Sequence, residues 1–321
     1  MSGRPLPVGS APSARPVIMG VVNATPDSFS DGGEWFDPDD AIAHGLALWR
    51  QGAQILDVGG ESTRPGAERP SVSEELRRVV PVVAALSESG CVVSVDTMRA
   101  GVAEAAIGAG AAYLNDVSGG LADPAMVPLA VESRLPFIAM HWRGHSADMQ
   151  SRAVYDDVVV DVARELAERR ETLLEAGIRA NRLILDPGLG FAKTGDHNWQ
   201  LLRGLDTIVG LGQPVLLGAS RKGFLARVGR PAGAERTPKE RDVATAVTSL
   251  YAAQHGAFVT AEQALDARQR DRVDVPGVAA QVGHVLDLAI VGRMEAVVHA
   301  RGETQGHVAA VAERRRVLGR P

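Results

Sequence analysis

Short runs of apolar residues alternate along this chain with stretches in which apolar and polar residues recur at helical spacing. Seven such runs are present, and each is followed by a segment containing glycine, aspartate or serine. Runs this short and this uniformly apolar are typical of parallel β-strands that are covered on both faces. The predicted strands are residues 17–22, 54–58, 91–95, 112–114, 136–140, 183–185 and 214–217.

Four of the intervening stretches carry clear helix signals. Acidic residues follow Pro38 and Ser73, as is typical of helix starts, and Ser73 is the predicted N-cap of its helix. Gly177 and Gly256 follow two other stretches, where glycine can adopt the left-handed conformation that ends a helix. The predicted helices are residues 38–51, 73–87, 155–176 and 239–254.

The alternation of strand and helix predicts one parallel sheet with right-handed crossovers. Seven units, with room for an eighth, favour a single (β/α)₈ barrel over an open doubly wound sheet, although the eighth unit is uncertain. The first unit lacks the G-x-G-x-x-G turn of a dinucleotide-binding fold. We predict a disordered lead-in over residues 1–16, a barrel over 17–257 and a separate, partly helical segment over 258–321.

Polar residues cluster directly after the predicted strands, where barrels of this type carry their chemistry. Each has an ordinary explanation when taken alone: Asp96 or Asp186 could cap the next helix, His141 could bond locally, and Lys222 could lie on the surface. Together they would place two carboxylates, an amide from Asn115 and a lysine at one barrel mouth. Such a mouth suits a polar heterocycle bound along its edge, with an anion nearby.

Composition narrows the classes of partner. The chain has 321 residues and a formal net charge of −5, which argues against a nucleic-acid-binding surface. No window approaches the roughly 20 apolar residues that a membrane span needs. Residues 1–16 lack the apolar core of a signal peptide, so a cytoplasmic location is expected. The only cysteine, Cys91, lies in an apolar run and is predicted to be a buried structural thiol.

Several longer motifs resemble those of dihydropteroate synthase, and they occur in that family's order. The first two are the loops after the first and second strands, residues 23–33 and 60–66. The others are Asp96-Thr97, Asn115-Asp116, Asp186-Pro187-Gly188-Leu189-Gly190-Phe191 and Ser220-Arg221-Lys222. The resemblance covers about residues 17–257. It implies that the protein joins 6-hydroxymethyl-7,8-dihydropterin diphosphate to p-aminobenzoate, giving 7,8-dihydropteroate and pyrophosphate.

The resemblance also implies roles for individual residues. Asp96, Asp186 and Lys222 would be the catalytic residues, and with Asn115 and Phe191 they would hold the pterin. Thr63 and Arg64 would lie near the phosphates, and Asn23 would help to bind Mg²⁺ there. The p-aminobenzoate slot would be formed by Phe29, Pro65 and Ser220. A homodimer is a further expectation from the family.

One family motif is missing. An Arg-x-His pair that binds the diphosphate normally follows a Gly-Ala pair on the eighth strand, but here Ala261 and Gln263 occupy those positions. Three interpretations stay open: the segment 258–321 supplies the anion site, for example through Arg293, His299 or Arg301; the protein is a paralogue with weak or no synthase activity; or the gene end is altered. A noncatalytic pterin-binding protein and a pterin-dependent methyltransferase are the competing functions.

Overall fold

A computed structural model describes residues 17–25, 37–62, 69–145, 149–228 and 233–262. Within them, eight parallel strands form one sheet in the order β6-β5-β4-β3-β2-β1-β8-β7. A bridge between Leu185 and Val215 joins the two ends of that order and closes the barrel. The strands are β1 (Val17–Asn23), β2 (Ile55–Gly59), β3 (Val93–Asp96), β4 (Tyr113–Asp116), β5 (Phe137–Met140), β6 (Leu183–Asp186), β7 (Leu216–Gly218) and β8 (Val259–Glu262). The predicted (β/α)₈ barrel is confirmed.

Eight α-helices pack around this sheet in the described part of the chain. They are α1 (Pro38–Arg50), α2 (Val72–Glu88), α3 (Ala100–Gly108), α4 (Met126–Ser133), α5 (Val158–Glu175), α6 (Gly195–Arg203), α7 (Leu205–Val209) and α8 (Asp242–Gln254). Helix α2 begins two residues earlier than its predicted N-cap implied, because Ser71 accepts the Glu74 N–H. Helix α5 begins at Val158 because Asp157 caps it, and a 3₁₀ turn precedes α8.

Side chains that alternate along each strand face either the barrel interior or the helices, and they form two apolar layers. Met19, Ile55, Tyr113, Ile138 and Ile184 belong to a cluster that fills the lower part of the barrel interior. Their strand neighbours belong to a larger cluster between the sheet and the helices, and Cys91 lies there, 1% exposed, as predicted. The interior cluster leaves the carboxyl ends of the strands for polar groups. Among the described residues, no helix is long and apolar enough to cross a membrane.

The eighth strand, which the sequence left uncertain, is formed. It pairs with β1 through Val17↔Val259 and with β7 through Leu216↔Val259. The predicted barrel boundary at residue 257 is therefore too early, and the barrel extends to Glu262. The reason is physical: without these four residues, the edges of β1 and β7 would have unpaired backbone groups.

Candidate active site

Four polar side chains occupy inward-facing positions near the carboxyl ends of β2, β3, β4 and β6. Asp96 at the end of β3 is in register with Gly59 on one side and Asn115 on the other. Asp57 lies one inward position below Gly59 on β2, and Asp186 ends β6. Because these strands are parallel and closed into a barrel, their carboxyl ends meet at one mouth. The predicted residues Asp96, Asn115 and Asp186 are thus brought together.

The carboxylates in this mouth destabilise one another's charged forms. Burial raises the pKa of Asp57, which is only 6% exposed. Burial also raises the pKa of Asp96 well above its usual range, and the nearby Asp57 carboxylate raises it further. A ligand that donates N–H groups, or that carries positive charge, would relieve this repulsion.

Asp186 and Lys222 form the oppositely charged side of the mouth. Burial raises the pKa of Asp186 to about 6, although its Oδ1 accepts the Gly188 N–H at 2.7 Å. Burial lowers the pKa of Lys222, and attraction to Asp186 and Asp96 opposes that shift. The ammonium lies 4.1 Å from the centre of the Phe191 ring, a cation–π contact. The mouth therefore offers both acceptors and a donor along a single wall.

Apolar side chains line the space next to these polar groups. Met98, Val117 and Met140 form a buried cluster, and Phe191 packs against it. The loop after β6 reaches this position through Gly188 and Gly190, both with positive φ. A Cβ on Gly190 would lie 3.0 Å from Lys222 Cδ, so glycine is needed there for close approach. An apolar surface beside a polar edge suits a flat heterocycle.

A buried polar network supports the β6 loop from behind. Glu165 on α5 hydrogen-bonds His141 Nε2 at 2.8 Å, and Lys193 Nζ donates to His141 Nδ1 and to the Phe191 carbonyl, each at 3.0 Å. The hydrogen bond to His141 is the main cause that lowers the pKa of Glu165 to about 2, so Glu165 accepts and Nε2 carries the proton. Burial lowers the pKa of His141 to about 4. The sequence allowed that His141 only makes hydrogen bonds to nearby residues, and this is its role in the structure.

The Ser220-Arg221-Lys222 segment is held by the arginine in its middle. Arg221, which has a positive φ of 52°, makes a two-point ion pair with Asp242 at the start of α8, at 2.5 and 2.8 Å. Its backbone N–H donates to Thr245 Oγ1. Bidentate arginine–carboxylate pairs fix geometry strongly. Arg221 thereby anchors the loop to α8, and the adjacent Lys222 lies at the mouth.

The loop after β2 packs closely on α2. Glu75, fully buried on α2, accepts hydrogen bonds from Thr97 Oγ1 at 2.5 Å and from Arg99 Nη1 at 2.6 Å, which ties the loop after β3 to the same helix. A Cβ on Gly60 would lie 2.7 Å from Val79 Cγ2 and 3.1 Å from Glu75 Cγ. Glycine at position 60 lets the loop approach this helix.

Gly60→Ala is therefore expected to destabilise the protein by about 1–3 kcal/mol, the usual cost of overpacking a filled site. Urea denaturation would measure the change in the free energy of unfolding. Gly108→Ala is the matched control, because a Cβ there meets nothing within 4 Å and alanine is favoured over glycine within α3. Equal midpoints for Gly60→Ala and the wild type would contradict the close packing.

Known proteins are similar to this chain in sequence and in fold. A family model described as "Pterin binding enzyme" matches residues 19–260. The dihydropteroate synthase of Mycobacterium leprae is 54% identical over 243 residues, which cover 75% of this chain and 86% of that protein. The chain belongs to the dihydropteroate synthase family. Among solved structures, the Xanthomonas albilineans dihydropteroate synthase with 4-aminobenzoic acid is 41% identical, with a TM-score of 0.71, covering 85% of this chain and 91% of that one. The same enzyme in complex with 7,8-dihydropteroate gives a TM-score of 0.68 at 37% identity, covering 85% and 93%.

The remaining family positions fall into two groups. Asn23 ends β1, in register with Gly59, and Ser220 lies between β7 and Lys222. Ala261, at the first position of the missing Arg-x-His pair, pairs with Met19 and Gly218 inside the sheet. Phe29, Thr63, Arg64, Pro65 and Gln263 lie outside the described residues.

Sequence reasoning did not predict several residues of this dihydropteroate synthase-like mouth. Asp57 lies inside a predicted apolar strand. A carboxylate in such a strand is unusual, and that contrast could have identified Asp57 as a candidate site residue. Lys193 is one of only three lysines in the chain, and two of the three, Lys193 and Lys222, lie at this site. Met140 and Val117 gave no signal, because an apolar residue at a strand end looks the same whether it contacts a ligand or the core.

Proposed function

We propose that the protein is a dihydropteroate synthase, which condenses 6-hydroxymethyl-7,8-dihydropterin diphosphate with p-aminobenzoate. The observation that carries the proposal is the convergence of Asp96, Asn115 and Asp186 with Lys222 beside an apolar wall. A pterin edge presents N–H donors next to ring-nitrogen and carbonyl acceptors. Carboxylates match the donors and the ammonium matches the acceptors. The names of the family relatives support the same activity.

The reaction needs binding and orientation more than a protein nucleophile. The bond between the pterin methylene carbon and the diphosphate oxygen breaks, the arylamine nitrogen bonds to that carbon, and the nitrogen then loses a proton. Positive charge develops on the pterin methylene as pyrophosphate leaves. Asp96 and Asp186 would hold the pterin N–H groups and favour that charge electrostatically, while Lys222 fixes the ring from its acceptor side. The apolar cluster of Met98, Val117 and Met140 would exclude water from the ring face.

Magnesium is part of the proposal. Asn23 ends β1 at the mouth, in register with Gly59, and its carboxamide oxygen is a ligand type that Mg²⁺ accepts. No group of three or more histidine, cysteine or acidic side chains in the described ranges could hold a metal by itself. Mg²⁺ often uses few protein ligands together with water and phosphate oxygens. Asn23 therefore fits a metal that neutralises charge on the diphosphate.

A direct assay tests the proposed activity. Purified protein, Mg²⁺, 6-hydroxymethyl-7,8-dihydropterin diphosphate and p-aminobenzoate are incubated, and 7,8-dihydropteroate is quantified by chromatography. Formation of product above the rate without enzyme is expected. Folded protein that binds the pterin without forming product would instead support the second candidate, a noncatalytic pterin-binding protein. The absence of the Arg-x-His pair at Ala261 and Gln263 is the observation that favours this candidate.

Restoring the missing pair gives a second prediction. Because β8 is formed and holds Ala261 in the sheet, the double variant Ala261→Arg, Gln263→His is expected to raise turnover by about 10²-fold, the scale of one transition-state donor. Steady-state kinetics at saturating p-aminobenzoate would measure it. Ala261→Lys, Gln263→Asn is the control for charge without the family pair. No gain in the double variant would mean that another part of the chain binds the diphosphate.

Two family expectations accompany this proposal. A homodimer is tested by light scattering of the eluted protein, and a cytoplasmic location by cell fractionation. Neither affects the assignment of the mouth residues.

A further inference from the structure

Within the ranges that the structure describes, Asp57 is the one buried carboxylate of the mouth that the proposed mechanism leaves unused. It lies within β2, below the level of Asp96 and Asn115, and is 6% exposed. Asn115 Nδ2 donates to its Oδ2 at 2.9 Å. Its other oxygen, Oδ1, makes no hydrogen bond of ordinary geometry within the described residues, although the Ser94 hydroxyl on β3 is close enough to lower the pKa of Asp57. Its charge raises the pKa of both Asp96 and Asp186, the two proposed pterin carboxylates.

The bond to Asp57 decides which end of the Asn115 amide faces a ligand. A side-chain amide has an acceptor end and a donor end of nearly equal size, so its orientation depends on hydrogen bonding. Asp57 Oδ2, which lies below Asn115 in the barrel, accepts the hydrogen bond from Nδ2. The Oδ1 end is then turned away from Asp57 and can accept a hydrogen bond from a ligand.

We propose that Asp57 is a positioning residue that fixes the Asn115 amide with its oxygen towards the ligand, and so sets the donor–acceptor pattern that selects a pterin. The inference rests on the proposed function, in which Asn115 binds the pterin edge. Asp57 itself does not touch the ligand. Without Asp57, the amide could rotate by half a turn and present N–H groups to ligand N–H groups, which a site built on matched hydrogen bonds strongly disfavours.

The proposal predicts a specific pattern of pterin affinities, measured by calorimetry with 6-hydroxymethylpterin. Asp57→Leu removes the acceptor and is expected to weaken binding about tenfold, the size of one buried hydrogen bond. Asp57→Asn keeps an oxygen that can accept from Asn115 Nδ2, and should restore most of the affinity. Thr260→Val is the matched control, because Thr260 is fully buried in the barrel and its hydroxyl has no hydrogen-bond partner in the described part of the chain, and this variant should bind pterin normally.

A double-mutant cycle separates orientation from general damage to the fold. In an Asn115→Leu background, Asp57→Leu should have no further effect on pterin affinity, because Asp57 acts only through Asn115. Equal effects of Asp57→Leu in both backgrounds would overturn the proposal, since they would show that Asp57 acts on the site independently of Asn115.

A measurement without ligand keeps the inference separate from the proposed function. In NMR spectra of the full chain, the side-chain NH₂ signal that disappears in Asn115→Leu should exchange slowly in the wild type and faster in Asp57→Leu. If wild-type protein failed to bind pterin, the proposed function would be wrong, and slow exchange would still establish the Asp57 bond. Rapid exchange of the Asn115 amide in the wild type would refute the positioning role, whatever the pterin affinity.

Discussion

Asp186→Ala is expected to weaken pterin binding by about 100-fold or more while the barrel still folds. The carboxylate is 8% exposed and lies beside Lys222 on the polar wall of the mouth. Its loss would leave ligand N–H groups without an acceptor in a dry site, and charge-assisted bonds of this kind are the strong ones. Calorimetry with 6-hydroxymethylpterin measures the affinity, and thermal unfolding checks the fold.

The same residue predicts a pH dependence. The pKa of Asp186 is about 6, and only its ionised form gives a charged acceptor, so affinity should fall as the pH drops through about 6. Asp186→Asn should bind weakly and lack this component of the pH profile. Asp123→Ala is a control, because Asp123 caps α3 by accepting the Ala100 N–H and should affect stability alone. Unchanged affinity in Asp186→Ala would remove Asp186 from the binding site.

The second large effect is expected from Lys193, through stability and not through contact with substrate. Burial lowers its pKa from 10.5 to about 7, and it is 3% exposed. Between about pH 7 and pH 10 the unfolded chain binds a proton that the folded chain does not. Stability should therefore rise with pH across that window, by up to about 1.4 kcal/mol per pH unit.

Lys193→Met should abolish the rise of the free energy of unfolding with pH, because methionine fills a similar volume and does not titrate. It also removes the donor to the Phe191 carbonyl, so pterin affinity should fall modestly. Urea midpoints at pH 7, 8 and 9 measure the slope. Lys239→Met is the matched control, since it removes an exposed lysine. If Lys193→Met and Lys239→Met had parallel stability curves, the buried lysine would not be titrating as described.

The site residues that come directly after an apolar run could be predicted from the sequence. Asp96, Asn115 and Asp186 each end an apolar run, and the ends of parallel strands in a barrel meet at one face. Nothing comparable in the sequence signals the network behind the β6 loop. Lys193 and His141 are 52 residues apart, and Glu165 comes from a helix whose packing decides the contact. The position of Asp57 inside β2 likewise became meaningful only when β4 brought Asn115 above it.

The start of helix α2 shows the same limit on a smaller scale. Ser71 and Ser73 both precede acidic residues suited to a helix start, and no sequence pattern favours Ser71 over Ser73 as the N-cap. In the structure Ser71 Oγ accepts the Glu74 N–H, and Ser73 Oγ bonds to Ser71 Oγ at 3.0 Å. The choice depends on how the preceding loop reaches α2, which is a tertiary property.

The pairing of β8 between β1 and β7 has a consequence for biosynthesis. The first strand of the barrel cannot complete its hydrogen bonds until residues near 262 have left the ribosome. At about 5–20 residues per second, some 240 residues take roughly 12–50 s to make. During that time the nascent chain carries two open strand edges, which are sites for wrong pairing with other chains. Folding in the cell therefore depends on protection of those edges, and a chain that stops before β8 would keep them open permanently.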